Sequence, residues 1–145
     1  MRSPVLWLAV LLALLCFPIW TKNDAAALTF SIVPNLLGFS IGAMAVVLAF
    51  PTSSIFEIIA ENGREDSYYL DLTSRFIHFI FVQVLALLIA VVAAAFSFCP
   101  ISFLALASLI YAVMTAAMTA LALFDVALFY NQSQKPKEAP PAPEG

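Results

Sequence analysis

Apolar positions in this chain are gathered into four long runs: Pro4 to Trp20, Leu28 to Phe50, Phe76 to Phe98 and Ile101 to Tyr130. A hydrocarbon core about 30 Å thick takes roughly 20 apolar residues at 1.5 Å of helix rise per residue. Each run reaches or approaches that length, so the pattern predicts four transmembrane helices at residues 4–20, 28–50, 76–98 and 101–128. The connections are short apart from a loop at 51–75, and Cys99-Pro100 reads as a tight turn between the last two spans. The expected fold is therefore all-α and integral to the membrane, an up-down four-helix bundle. Residues 131–145 are polar and Pro-rich and read as an extended tail without fixed structure.

The second span carries a row of small and polar residues. Ser31, Asn35, Gly38, Gly42, Ala45 and Ala49 recur at alternating steps of four and three, with Gly38 and Gly42 forming a GxxxG. In lipid, helices associate by close backbone approach and interhelical hydrogen bonds, and small side chains permit that approach. Packing inside one bundle is the simpler reading of this seam; self-association or a pore-facing wall are the other two. Pro34 lies within the same span and should loosen it locally. A similar row in the fourth span comprises Ala105, Ser108, Ala112, Thr115, Thr119 and Ala122. Its hydroxyls suit interhelical bonding or a weakly polar path through an oligomer. The Leu-rich first span reads as a lipid-facing helix.

Polar chemistry collects at one end. Asp71, Arg75 and His78 share a helix face by their i, i+4, i+7 spacing, and Asp125 falls at similar depth on the neighbouring span. The expected arrangement has Asp71 paired along its helix with Arg75, and Asp125 meeting Arg75 or His78 across the hairpin. A proton- or ion-sensitive mouth is the functional alternative for this cluster. Deeper in the spans, Gln83 and Asn35 must find partners inside the protein. In the 51–75 loop, Ser53 or Ser54 can cap a short amphipathic surface helix that ends near Gly63. Its acidic face, Glu57 and Glu61, suits a protein partner better than an anionic membrane.

Composition sharpens the class and narrows the chemistry. The chain is 63% hydrophobic and only 10% charged, which no ordinary soluble domain matches. Arg2, Arg64, Arg75, Lys135 and Lys137 fall on one side of a four-span layout and only Lys22 on the other. By the positive-inside rule both termini are expected in the cytoplasm, most simply of a bacterial inner membrane. Arg2, the apolar stretch Val5 to Phe17 and Ala25-Ala26-Ala27 also fit a cleaved signal peptide, which would leave three spans. The length of the run and Trp20 beside Lys22, an interfacial anchor, favour a retained helix.

Cys16 and Cys99 both fall toward the outer side, as two inert thiols or a disulfide, and there is no CxxC. No basic cluster suits nucleic acid, and no residue set suggests a catalytic, cofactor or metal site. The expected function is thus non-enzymatic: a small multi-pass protein that self-associates in the bilayer and forms a pore or alters permeability. The alternative is an accessory subunit anchored in a larger membrane complex and docked through its cytoplasmic loop.

Overall fold

The computed structural model describes residues 4–49, 67–96 and 98–133. These residues form five helices and no strand: α1 (Pro4–Leu15), α2 (Phe17–Thr21), α3 (Ala25–Ala49), α4 (Tyr68–Phe96) and α5 (Cys99–Ser133). Three segments are long and apolar enough to cross a membrane: Ala25–Val46, Tyr69–Phe96 and Cys99–Asp125. The chain is accordingly a multi-pass helical membrane protein, with three long helices among the described residues where four were expected.

The difference lies at the N-terminus. Pro18 has no N–H to give and its ring crowds the preceding turn, so the run from Pro4 to Trp20 is not one helix. It divides into the 12 residues of α1 and the single-turn, 5-residue α2, with Cys16 between them at φ −86° and ψ 36°. Alone, α1 spans about 18 Å at 1.5 Å per residue, well short of a hydrocarbon core. Pro34, by contrast, is carried inside a continuous α3. Pro100 falls in the first turn of α5, where its missing N–H costs nothing, so the α4–α5 turn precedes Cys99-Pro100. Likewise α4 starts at Tyr68, with the carbonyl of Ser67 accepting from the Leu70 and Asp71 N–H groups at 3.1 and 3.2 Å.

A backbone cap turns the chain from α2 into α3. Asn23 sits in the left-handed region at φ 60°. The Asp24 N–H then reaches back to the Ile19 carbonyl (3.0 Å) and the Asn23 N–H to that of Trp20 (3.3 Å), a Schellman arrangement. Asparagine tolerates this geometry and a β-branched residue does not. Asn23→Val should therefore cost roughly 1–2 kcal/mol, read as a lower midpoint in detergent unfolding, while Asn23→Gly should not.

α4 lies between α3 and α5 and packs on both; α3 also touches α5, and α1 and α2 lie along α5. The buried face of α4 is Leu72, Phe76, Phe79, Gln83, Ala86, Ala90 and Ala93, at steps of four and three throughout. Its counterpart on α5 includes Ser102, Ala105, Leu109, Ala112, Thr119 and Ala122, and on α3 Ala26, Thr29, Val33 and Ser40. Such 3.5-residue periodicity lets long helices stay in contact by a shallow left-handed crossing. Most of these positions hold Ala, Ser or Thr, whereas Leu11, Leu15, Phe39, Phe81 and Leu88 stand exposed. That partition inverts the soluble rule and matches a bundle whose solvent is lipid, where small residues make the helix contacts.

Between the larger apolar cluster around Ala86, Ala90 and Ala105 and the smaller one of Leu72, Phe76 and Ala122 lies a polar contact. Ser40 Oγ stands 3.2 Å from Gln83 Oε1, and both residues are fully buried. Ser40 Oγ also lies 2.8 Å from the Leu36 carbonyl on its own helix, whereas Gln83 Nε2 has no partner among the described residues. The two partners are therefore unequal. Ser40→Ala strips the carboxamide of its one contact and should cost about 1 kcal/mol. Gln83→Leu removes the unpaired donors while the Leu36 carbonyl still serves Ser40, and should be neutral or stabilising. Unfolding of both variants by titration with a denaturing detergent gives the order; a more damaging Gln83→Leu would refute the pairing.

Candidate functional site

Two surface features hold the polar and small residues outside the core. The first is the outward side of α3. Ser31, Asn35, Gly38, Gly42, Ala45 and Ala49 are all exposed. Ser31, Asn35 and Gly42 lie two residues beyond the buried Thr29, Val33 and Ser40, and two residues turn a helix by about 200°. The row thus sits on the far side of α3 from α4 and α5, which corrects the simpler expectation that it packs within the chain. A Cβ built on Gly38 or on Gly42 would meet none of the described residues within 4 Å. Polar atoms on this face are bonded locally: Ser31 Oγ donates to the Leu28 carbonyl (2.9 Å) and Asn35 Nδ2 to that of Ser31 (3.0 Å). The Asn35 amide oxygen has no donor among the described residues.

The corresponding row on α5 does face the bundle, with Ala105, Ala112, Thr119 and Ala122 buried and Ser108 and Thr115 half-buried. Its hydroxyls turn inward along their own helix. Ser108 donates to the Ala105 carbonyl (2.9 Å), Thr115 to that of Ala112 (2.9 Å) and Thr119 to that of Thr115 (2.9 Å). Among the described residues they hold no neighbouring helix by hydrogen bonds, so small volume is what suits them to the contact.

The second feature is the polar end of the α4–α5 pair. Arg75 Nε donates to Asp71 Oδ2 at 2.8 Å, one turn apart, with both side chains about half exposed (55% and 51%). An exposed pair of this kind contributes well under 1 kcal/mol, so it orients the guanidinium more than it holds the fold. His78 Nε2 lies 3.5 Å from the Tyr111 hydroxyl of α5. Asp125 is exposed and has no ion-pair partner among the described residues. The expected link across the hairpin from Asp125 to Arg75 or His78 is thus replaced by Asp71–Arg75 and His78–Tyr111. Tyr111 went unread because nothing in its local pattern distinguishes it from the apolar residues around it.

At the opposite end, Trp20 joins α1, α2 and α5. Its indole N–H donates to the Ala13 carbonyl (3.0 Å), and its ring stands edge-on to Phe103 with centroids 5.6 Å apart. Cys99 Sγ approaches the Trp20 carbonyl at 3.9 Å, and Cys16 and Cys99 are both free thiols. Among the described residues no group of His, Cys, Asp and Glu could hold a metal ion. Glu57 and Glu61, with the amphipathic segment expected around them, and the tail beyond residue 133 lie outside the described residues.

Fold and faces together define a multi-pass helical membrane protein with a small-residue face that no described residue covers. Comparison with protein-family models, curated proteins and solved structures finds no match to this chain.

Proposed function

We propose that this protein is a non-enzymatic membrane bundle that self-associates through the outward face of α3, centred on Gly38 and Gly42. The supporting observation is the open space beside both glycines. A glycine inside a helix costs up to about 1 kcal/mol against alanine. Two of them one turn apart, with no contact beside them among the described residues, are compensated when a second backbone packs on them. Ser31 and Asn35 continue the same face and supply a hydroxyl and an amide oxygen for bonds between copies. A ring of such copies would set Ser31 and Asn35 around a common axis, the polar wall through which the assembly alters permeability.

The test is the mass of the complex in lipid nanodiscs for wild type and Gly42→Ile. A defined homo-oligomer lost in the variant supports the reading; a wild-type monomer ends it.

A further inference from the structure

At the polar end of the bundle, α4 and α5 part to leave a groove of about 340 Å³. That volume falls within the roughly 300–1,000 Å³ of small-ligand sites. Its rim carries Ser74, Arg75 and His78, all exposed and set on adjoining turns of α4. Its wall is Phe79 and Met118, with Thr115 and Thr119, whose hydroxyls are already bonded to their own helix. One end of the groove thus offers hydrogen-bond donors, among them the Arg75 guanidinium whose charge Asp71 partly offsets, and the other is apolar.

The depth of the rim in the bilayer follows from the sequence. Between Phe76 and Phe96, α4 contains no Asp, Glu, Lys or Arg. These residues span about 30 Å at 1.5 Å each, one hydrocarbon thickness. Arg75 therefore stands where hydrocarbon gives way to headgroups. Asp71 takes one of the five N–H donors of the guanidinium, and the others have no partner among the described residues. Ser74 has no hydrogen bond there either, and His78 is engaged only by its long contact to Tyr111.

From this geometry we infer that the α4–α5 groove binds an anionic phospholipid. Its phosphate lies on Arg75, Ser74 and His78, and an acyl chain lies along Phe79 and Met118. Planar N–H donors match phosphate oxygens in pairs, and basic pockets between transmembrane helices at headgroup level are suited to acidic lipids. A groove of about 310 Å³ on the other side of Phe79, lined by Leu36, Phe39, Ala117 and Ala120 among others, has no charged residue and offers no such selectivity.

The site belongs to a single chain and does not depend on the α3 assembly. Native mass spectrometry of the full chain, with dioleoyl-phosphatidylglycerol and dioleoyl-phosphatidylcholine competing, tests it directly. Wild type should retain the anionic lipid about fivefold better, the equivalent of roughly 1 kcal/mol for one cation at a membrane surface. Arg75→Gln should abolish the preference and Arg75→Lys should keep part of it. Lys22→Gln, which removes the cation at the opposite end, should leave it intact. Glycerol 3-phosphate at millimolar concentration should not displace the lipid.

An unchanged preference in Arg75→Gln overturns the inference, and equal loss in Lys22→Gln reduces it to net charge. Displacement by glycerol 3-phosphate would make the rim a site for soluble phosphates instead. Loss of the preference in Gly42→Ile would put the phosphate between copies and overturn assignment to this groove. Survival of the preference in a monomeric Gly42→Ile supports the inference.

Discussion

Gly42→Ile is expected to reduce the proposed assembly to single bundles without unfolding them. The added side chain points away from α4 and α5, since none of the described residues lies within 4 Å of the new Cβ, so the core of α3 against those helices is untouched. Within the helix, isoleucine is better tolerated than glycine. Between copies the effect reverses: a branched side chain holds two backbones apart and removes the close contacts on which helix pairs in lipid depend. Each bundle should keep its unfolding midpoint while the complex loses all but monomeric mass. A variant that unfolds instead would show that α3 packs differently, and one that keeps its oligomer would move the interface elsewhere.

The largest expected loss of stability comes from a change that adds atoms. Ala90 is fully buried on the face of α4 that meets its neighbours. Ala90→Leu forces three extra heavy atoms into a contact built for a methyl group. The cost should be roughly 1–3 kcal/mol, the usual range for overpacking. Leu88, two residues away and 58% exposed, gives the contrast. Leu88→Ala removes as many atoms from the lipid-facing side and should move the midpoint by no more than about 0.5 kcal/mol. Denaturing-detergent titrations of the two variants would separate them. If Leu88→Ala were the more damaging, the inside-out partition of side chains would be wrong.

The membrane class and the three long helices were legible because they rest on run length, which sequence displays directly. Where each helix turns its faces was harder. On α5 the small-residue row coincides with the core, but α3 carries two such rows on opposite sides. One, Ala26, Thr29, Val33 and Ser40, faces the bundle; the other, centred on Gly38 and Gly42, faces away. The glycines made the outer row the more conspicuous, and only the packing decides between them.

The α4 face was open to reading, since its steps from Leu72 to Ala93 alternate without a break, but its mixture of Phe, Gln and Ala masks the period. Pro18 was a visible breaker inside an apolar run, and run length alone overrode it. At the polar end, spacing identified Asp71 with Arg75, while the contact of His78 with Tyr111 is tertiary and leaves no local mark.

The pair of Ser40 and Gln83 has a consequence for vertical alignment. Faces made of alanine and other small side chains repeat every seven residues, so one helix slid past another by about 10 Å would find nearly the same surface. Apolar packing alone discriminates weakly between such registers. The polar pair does not repeat. Moved by one heptad, Gln83 would face Val33 rather than Ser40 and lose its one polar neighbour in a medium that supplies none. A contact that adds little to the strength of the bundle thus acts as its index mark, fixing how far along α4 the third helix stands. The outward glycines and the Arg75 rim hold their relative heights because that mark is there.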